Sequence, residues 1–419
     1  MEVQQTRLRN DVETNGEFGA VGVDDGHGRT VLTGTEADRR ARRYFVERLE
    51  DAELDVRIDA VGNVVGRWTP DSADPEAAPV AAGSHLDSVP EGGIFDGPLG
   101  VYAALEAVRA MQDAEQDADF EPTRPVEVVS FTEEEGQRFG GGLVGSAVAA
   151  GDMSVEEALA IEDDGESLHE ALESIGFLGD GRLDASEWDA WFELHIEQAE
   201  RLERATVPAG VVTTITGLSR CHVEIQGEAN HAGATSMDER TDALAAASEF
   251  VGDVERAANE VVASDAESAV ATVGKLDVTP NAPNVIAGKV ELTIDVRDVS
   301  HDAIHRLIDR AHASLQRLET DRGVETTIEH PWDRAPVPMS ERCRDALHES
   351  GASAGIETLN LHSGAAHDTM HVAEATDAAL LFAPSRDGIS HNPMEWTDWA
   401  NCAAATQVLA GAMARLASR

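Results

Sequence analysis

The sequence predicts an α/β protein. A large domain is built on a mixed, mostly parallel central sheet, and a smaller α+β domain is inserted into it. Three observations predict this. The chain has 419 residues, more than one hydrophobic core usually organises. Apolar strand-like runs alternate with helical patterns over its first half, as in a parallel sheet covered by helices. From about residue 214 to 330 the order becomes β-α-β-β-α-β, a ferredoxin-like plan. The expected boundaries are 1–213 and 331–419 for the two parts of the large domain and 214–330 for the insert.

Thr35 to Ala52 reads as a helix, with a threonine cap and Tyr44, Phe45 and Leu49 on one side. LDVRIDAVGNVVGRW (54–68) alternates like two strands around a Gly-Asn turn. TPDSADPEAAP (69–79) is a linker by composition. VAAGSHLDSV (80–89) is a short buried strand running into a loop. DGPLGVYAALEAVRAM (96–111) is a helix with Pro98 well placed in its first turn. PVEVVSF (125–131) is another buried strand. Residues 151–188 are acidic and helical in pattern, and WFELHIEQAERLE (191–203) returns to core-like character. The insert holds the strand CHVEIQGEA, an Ala-rich helix from Asp242 to Asn259, the strands SAVATVGKLDV and GKVELTIDVRDV, a helix from His301 to Leu318, and the strand GVETTIEH. The chain ends in a helical pattern, NCAAATQVLAGAMARLAS.

Composition excludes several functions. Asp and Glu number 79 against 32 Lys and Arg, for a net charge of -47, and only Lys275 and Lys289 are lysine. Self-repulsion on that scale needs screening, which points to a high-salt cytoplasm. Nucleic acid is excluded as a partner, since it is bound by basic patches. Disorder fails as a reading because the chain is 42% hydrophobic and periodic throughout. The three cysteines, Cys221, Cys343 and Cys402, are far apart and lack metal-site spacing, as expected of buried, inert thiols in a reducing compartment. No apolar run reaches transmembrane length, and MEVQQTRLRNDVE lacks the apolar core of a signal peptide, so no membrane partner is expected.

One stretch asks for an explanation. FTEEEGQRF (131–139) sets three glutamates directly after a buried strand. In a chain this acidic, such a triplet is by default a solvated face, and the acidic run IEDDGE (161–166) is read that way. A second odd stretch changes the weighing: GSHLDSVPEGGIFDG (83–97) also follows a buried strand. A histidine at a strand end can simply cap backbone groups. His85 and Asp87, however, point to the same side of an extended segment, and a carboxylate behind a histidine fixes its tautomer as a metal ligand. Asp96, in a glycine-rich loop, can approach the same point. Several carboxylates at one buried strand end repel each other unless a divalent cation dominates the site. Open α/β sheets place their sites at the carboxyl ends of strands, where both motifs lie. His195 in FELHIEQ and His391 in GISHNPMEW sit in similar settings. Most of the fifteen histidines, including His301, His305 and His312 on one helix, read as surface residues. The set His85, Asp96, Glu135, His195 and His391 mixes imidazoles and carboxylates as binuclear zinc or manganese sites do.

Read together and in order, GSHLDSVPEGGIFDGPLGV, FTEEEGQRF, ELHIEQ, ANHAGATSM, PNVIAG and SGAAHDTM…GISHNPMEWT span nearly the whole chain. DAVGNVVGR (59–67) joins them. In these segments the sequence resembles the amidase/hydantoinase/carbamoylase branch of the M20 metallopeptidase superfamily, with its N-carbamoyl-L-amino acid hydrolases, allantoate amidohydrolases and β-ureidopropionases.

The resemblance implies a residue set. His85 and His195 would be terminal ligands of one metal, Asp96 would bridge two, and Glu135 and His391 would hold the second. The ions would be zinc or manganese, with cobalt or nickel also compatible. Glu134 would be the general base and Glu133 a bystander; Asp87, placed behind His85 by its spacing, is counted with Glu134 and His231 among the catalytic residues. His231 in ANHAGA would donate to the developing oxyanion, reaching across a dimer formed through the small domain. Arg297, Gln198 and Asn284 would contact the substrate, Arg297 as a fork for its carboxylate; a structural ion pair is the other reading of Arg297. Ala199, Ala234, Ser236, Ala287 and Ala366 depart from the branch's usual residues, which bears on substrate preference and loop shape.

The expected protein is therefore a cytoplasmic, homodimeric, binuclear metal amidohydrolase. Its expected substrate is a linear ureido compound with a free carboxylate, foremost an N-carbamoyl-L-amino acid. An M20 aminopeptidase or dipeptidase is the rival of another class, and a scaffold that has kept the fold without the chemistry is a third.

Overall fold

The computed structural model describes residues 1–22, 26–116, 120–264 and 266–418. From the N-terminus come α1 (Gln5–Gly16), α2 (Glu36–Asp51), β1 (Asp55–Ile58), β2 (Val64–Trp68), β3 (Val80–His85), α3 (Pro98–Gln116) and β4 (Val126–Phe131). Then follow α4 (Val144–Ala150), α5 (Val155–Leu159), a minimal hairpin of β5 (Glu162–Asp163) and β6 (Glu166–Ser167), and α6 (Leu168–Ile175). Next are β7 (Ala190–Ile196), α7 (Arg201–Ala205), β8 (Ala209–Ile215), β9 (Gly217–Gln226), β10 (Asn230–His231), α8 (Ala243–Ser264), β11 (Val270–Thr279), β12 (Val285–Ile286), β13 (Lys289–Asp298), α9 (His301–Arg322) and β14 (Glu325–Arg334). The chain closes with β15 (Val337–Pro338), α10 (Glu341–Ala354), β16 (Thr358–Ser363), α11 (Thr369–Ala375), β17 (Ala378–Ala383) and α12 (Trp399–Ala417).

Two compact units result: Met1–Thr213 with Met339–Arg419, and Thr214–Pro338. The sheet of the first runs β1-β2-β4-β3-β7-β17-β8, with β16 also on β8. Its centre, β4-β3-β7-β17, is parallel, and antiparallel strands flank it. The four central strands are buried along their whole length, so they need apolar runs rather than alternation. Helices α3 and α12 supply much of the facing core through Leu99, Tyr102, Leu105, Val408, Leu409 and Met413. Helix α2 starts at Thr35, whose side chain accepts the Asp38 amide N–H. Helix α1, not anticipated from sequence pattern, is held by the i,i+4 pair Leu8 and Val12, both fully buried.

The second unit is a four-stranded antiparallel sheet, β11-β13-β9-β14, carrying α8 and α9 over one face. Alternation along β9 turns Ser219, Cys221, Val223 and Ile225 inward and Arg220 and His222 outward. Residue 330, the expected edge of the insert, falls inside β14, which continues through Pro331 to Arg334 with a shift of register between Glu329 and Trp332. Among the described residues no helix is long and apolar enough to cross a membrane.

Candidate metal centre

The parallel pairing of β4, β3, β7 and β17 brings their carboxyl ends to one edge of the sheet. His85 is the last residue of β3 and is opposite Phe131, the last of β4. His195 lies one residue before the end of β7. The loop after β3 carries Asp87 and Asp96, the loop after β4 carries the three glutamates, and the loop after β17 carries His391.

These side chains converge on Asp96. His195 Nε2 lies 3.1 Å and His85 Nε2 3.6 Å from Asp96 Oδ1. On the other oxygen, His391 Nε2 is 3.5 Å from Asp96 Oδ2, and it is also 3.4 Å from Glu135 Oε2. Two triads therefore share one carboxylate: His85, Asp96, His195, and Asp96, Glu135, His391. Within each, the candidate donor atoms lie within 4.8 Å of one another. Glu134 Oε2 is 3.6 Å from His85 Nε2. All of these groups are buried or nearly so except His391, whose side chain is half exposed.

Backbone carbonyls set the rings. His195 Nδ1 lies 3.0 Å from the carbonyl of Ile196, and His85 Nδ1 lies 3.2 Å from that of Asp87. Each Nδ1 then carries a proton, and each Nε2 is the ring atom turned to Asp96. The Asp87 carboxylate stands farther from His85 Nδ1, at 3.6 Å, and is engaged elsewhere. It accepts the backbone N–H groups of Glu134 and Glu135 at 3.3 and 3.0 Å.

The residues fit a divalent cation. His85 Nε2 and Glu135 Oε1 are buried and have no hydrogen-bond partner, which is costly for polar atoms unless an ion meets them. The protein's own charges point the same way. Burial pushes Glu134 well above the carboxylate range, with Glu135, Asp368 and Asp87 adding to it against His85. Burial, then Asp96, pushes Glu135 up to about 8. Asp96, despite its burial, is held well below the usual range by His195, His85 and Ser390. A cation reverses the cost of ionising both glutamates.

Several supporting residues are absent from the expected set. Glu395 accepts the backbone N–H groups of Phe95 and Asp96 at 2.9 and 3.1 Å, and burial followed by Asp96 pushes it up to about 7. Ser390 Oγ donates to Asp96 Oδ2 at 2.6 Å. Glu193, buried in mid-β7, accepts Ser84 Oγ at 2.8 Å, Thr369 N–H at 3.0 Å and Thr369 Oγ1 at 2.7 Å. An acid inside the run AWFELHI was the available signal for it, because a buried carboxylate must be satisfied. The ring of His367 packs against that of His195, centroids 4.6 Å apart, and burial, with His195 and His85 adding, keeps it neutral. Gly97, at φ 80°, sits so close to the His85 ring that a Cβ would come within 2.5 Å of it.

The other expected residues divide. Gln198 joins the cluster itself: its Nε2 donates to Asp96 Oδ2 at 2.9 Å and to Ser390 Oγ at 3.0 Å. Glu133 is buried, and its Oε1 accepts the backbone N–H groups of Arg138 and Phe139 at 2.7 and 2.9 Å. It folds the glutamate loop rather than facing solvent. His231, Asn284 and Arg297 belong to the second unit. The β10–β12 ladder sets His231 beside Asn284, whose carbonyl accepts the Ala232 N–H at 3.0 Å. His231 Nδ1 accepts the N–H groups of Gly233 and Ala234 at 3.0 and 3.1 Å, which leaves the ring proton on Nε2, on an exposed side chain. Arg297 pairs with Asp295 on its own strand, Nε to Oδ1 at 2.8 Å and Nη2 to Oδ2 at 3.3 Å.

Residues 81–415 match the Peptidase family M20/M25/M40. The chain belongs to the M20 family. It is 36% identical to an N-carbamoyl-L-amino-acid amidohydrolase from Paenarthrobacter aurescens, over 99% of this chain and 98% of that one. It is 33% identical to an allantoate amidohydrolase from Bacillus subtilis, over 95% of each. Among solved structures it resembles an amidase of the hydantoinase/carbamoylase family from Burkholderia multivorans, with a TM-score of 0.91, 35% identity and coverage of 100% of this chain and 99% of that one. Within M20 the chain falls in the hydantoinase/carbamoylase amidase branch. It is a hydrolase of non-peptide carbon–nitrogen bonds, and it carries the His/Asp/Glu clusters of a metal-dependent member.

Proposed function

We propose that this M20 amidohydrolase cleaves N-carbamoyl-L-amino acids to the L-amino acid, carbon dioxide and ammonia, using two divalent ions. The observation that carries the reading is the sharing of Asp96 between two triads beside Glu134. His85, Asp96 and His195 would hold one ion, and Asp96, Glu135 and His391 the other. Zinc and manganese suit this donor set best, and cobalt or nickel are compatible with it. When bound, such ions supply Lewis-acid chemistry, polarising the attacked carbonyl and acidifying water.

The chain's own residues do the rest. Glu134 takes the proton of the water that attacks the ureido carbon and gives it to the departing amino nitrogen. The bond from that nitrogen to the ureido carbon breaks, and the released carbamate falls apart to carbon dioxide and ammonia. His231 donates Nε2–H to the carbonyl oxygen as charge develops there. Asn284 and Gln198 contact the substrate. Arg297 takes its carboxylate, sharing or exchanging Asp295 to do so. A homodimer through the second unit and a high-salt cytoplasm complete the proposal; the net charge of -47 supports the latter. Sedimentation in molar KCl tests the dimer, which is rejected if a fully active monomer is found.

The test of activity is ammonia release in molar KCl after chelation, with and without added Mn2+ or Zn2+. Substrates are N-carbamoyl-L-amino acids, N-carbamoyl-β-alanine, allantoate and, by amine appearance, dipeptides. Metal-dependent turnover of a carbamoyl amino acid, lost in Glu134→Gln, is expected. The allantoate amidohydrolase at 33% identity supports allantoate as the second reading, and preferential turnover of allantoate would establish it.

A further inference from the structure

We infer a separate metal site in the second unit, formed by His301, His305 and Asp333. It takes one borderline transition-metal ion such as zinc and clips α9 to the edge strand β14. Its residues are not those of the cluster around Asp96, and the inference does not depend on the proposed activity.

Helical spacing brings the two histidines together. Residues four apart share a helix face, and the rings of His301 and His305 lie 4.1 Å apart between centroids. Asp333 reaches them because of an irregularity in β14. Glu329 pairs with His222 and Trp332 with Arg220, so His330 and Pro331 together face the single residue Cys221. Without that extra residue, simple alternation would turn Asp333 to the outer face. With it, Asp333 pairs with the inward-facing Ser219 and lies on the side that α9 covers.

The distances suit an ion better than a hydrogen bond. His301 Nε2 is 3.8 Å from Asp333 Oδ1, and His305 Nε2 is 3.8 Å from Asp333 Oδ2. Both are beyond hydrogen-bonding reach. His301 Nε2 is buried and has no hydrogen-bond partner. One donor atom from each residue lies within 4.8 Å of the other two. Tetrahedral zinc, with bonds of about 2.0–2.2 Å, holds its donor atoms about 3.3–3.5 Å apart, so small side-chain shifts complete the site. Two imidazoles and one carboxylate select zinc, nickel, copper or cobalt over magnesium and calcium. The remaining position is left to water. The partial positive charge at the start of α9 opposes a cation, and the Asp333 carboxylate offsets it. Because β14 is at one edge of its sheet, the clip fastens a strand that has a single neighbour there.

The test is zinc content of the full-length protein after equilibrium dialysis against Zn2+ in molar KCl, followed by a thermal scan. Wild type is expected to hold about one more zinc per chain than His305→Ala or Asp333→Asn. Zinc is expected to raise the melting temperature of wild type more than that of either variant. Alanine is the better helix former at an exposed site such as 305, so the variant should fold. In His85→Ala, which disturbs the cluster around Asp96, the His305-dependent zinc should persist. Equal zinc contents in wild type, His305→Ala and Asp333→Asn overturn the inference and leave an ordinary surface ion pair.

Discussion

The Asp87 carboxylate accepts the backbone N–H of Glu135 at 3.0 Å. It takes the N–H of Glu134 as well, so the loop after β3 holds the loop after β4 in place. His85 and the two glutamates come from different strands, and this carboxylate fixes their spacing. Replacing it should loosen the cluster without touching a candidate ligand. Asp87→Ala is expected to lower metal affinity about 10–100-fold, the usual effect of removing an outer-shell partner. Asp87→Asn, which keeps one acceptor oxygen, should lose less. Competitive titration of the chelated protein with a metal indicator measures both.

Glu134 and Glu135 are neighbours with different duties in the proposal. Glu134→Gln removes the proton acceptor and keeps the shape. Turnover should fall by about 10²–10⁴-fold, with metal content unchanged. Glu135→Gln should lose metal as well as turnover. Metal content and kcat measured on the same samples separate the two, and loss of metal in both variants would count against the division.

Glu133 tests a different property. It is buried, and its Oε1 closes the turn over Arg138 and Phe139. Glu133→Ala leaves two backbone N–H groups unsatisfied and should cost about 1–3 kcal/mol of stability. Glu133→Gln keeps an acceptor and should recover most of that. Denaturant unfolding in molar KCl, with metal saturating, is the measurement.

The candidate cluster around Asp96 was legible in the sequence because its parts stand at strand ends and metal chemistry accepts few residue types. Buried runs such as VAAGSH and VEVVSF cannot end in His-x-Asp or Glu-Glu-Glu without a reason. The partners of those groups were harder to read. Glu133 looks identical to Glu134 in one dimension, and only the turn after β4 decides which carboxylate folds inward. Glu395 and Glu193 act by accepting backbone and hydroxyl donors from segments far away in sequence, and no local spacing records that. The insert's strands and helices followed from periodicity, but β14 did not end at Pro331. Proline lacks an N–H and reads as a strand terminus, whereas the register shift there places His330 and Pro331 together opposite Cys221. Arg297 reads as a fork for a carboxylate or as a structural ion pair, and its partner Asp295 lies one alternation away on the same strand.

The cysteines give a prediction independent of the metals. All three are buried, and burial pushes Cys343 up to about 12, with Cys402 and Cys221 also raised. At pH 8 the thiolate fraction of Cys343 is then about one in ten thousand, and the thiolate is the reactive form. A chromogenic disulfide reagent should find no fast-reacting thiol in the native protein and three after unfolding. Reactivity should climb only at strongly alkaline pH. A thiol that reacts rapidly at pH 8 in the folded protein would contradict this.

Gln198 separates two roles that the family resemblance and the geometry assign differently. As a substrate contact alone, its loss should raise KM and leave metal binding as it was. Its amide, however, donates to Asp96 Oδ2, the oxygen that faces His391, and also to Ser390, which donates to the same oxygen. Gln198→Leu should therefore weaken the ion shared by Asp96, Glu135 and His391, lowering metal affinity about 10-fold or more. Excess metal should then restore part of the lost turnover at saturating substrate. A variant with wild-type metal affinity and a raised KM would assign Gln198 to the substrate alone. A fall in metal affinity with KM unchanged would assign it to Asp96.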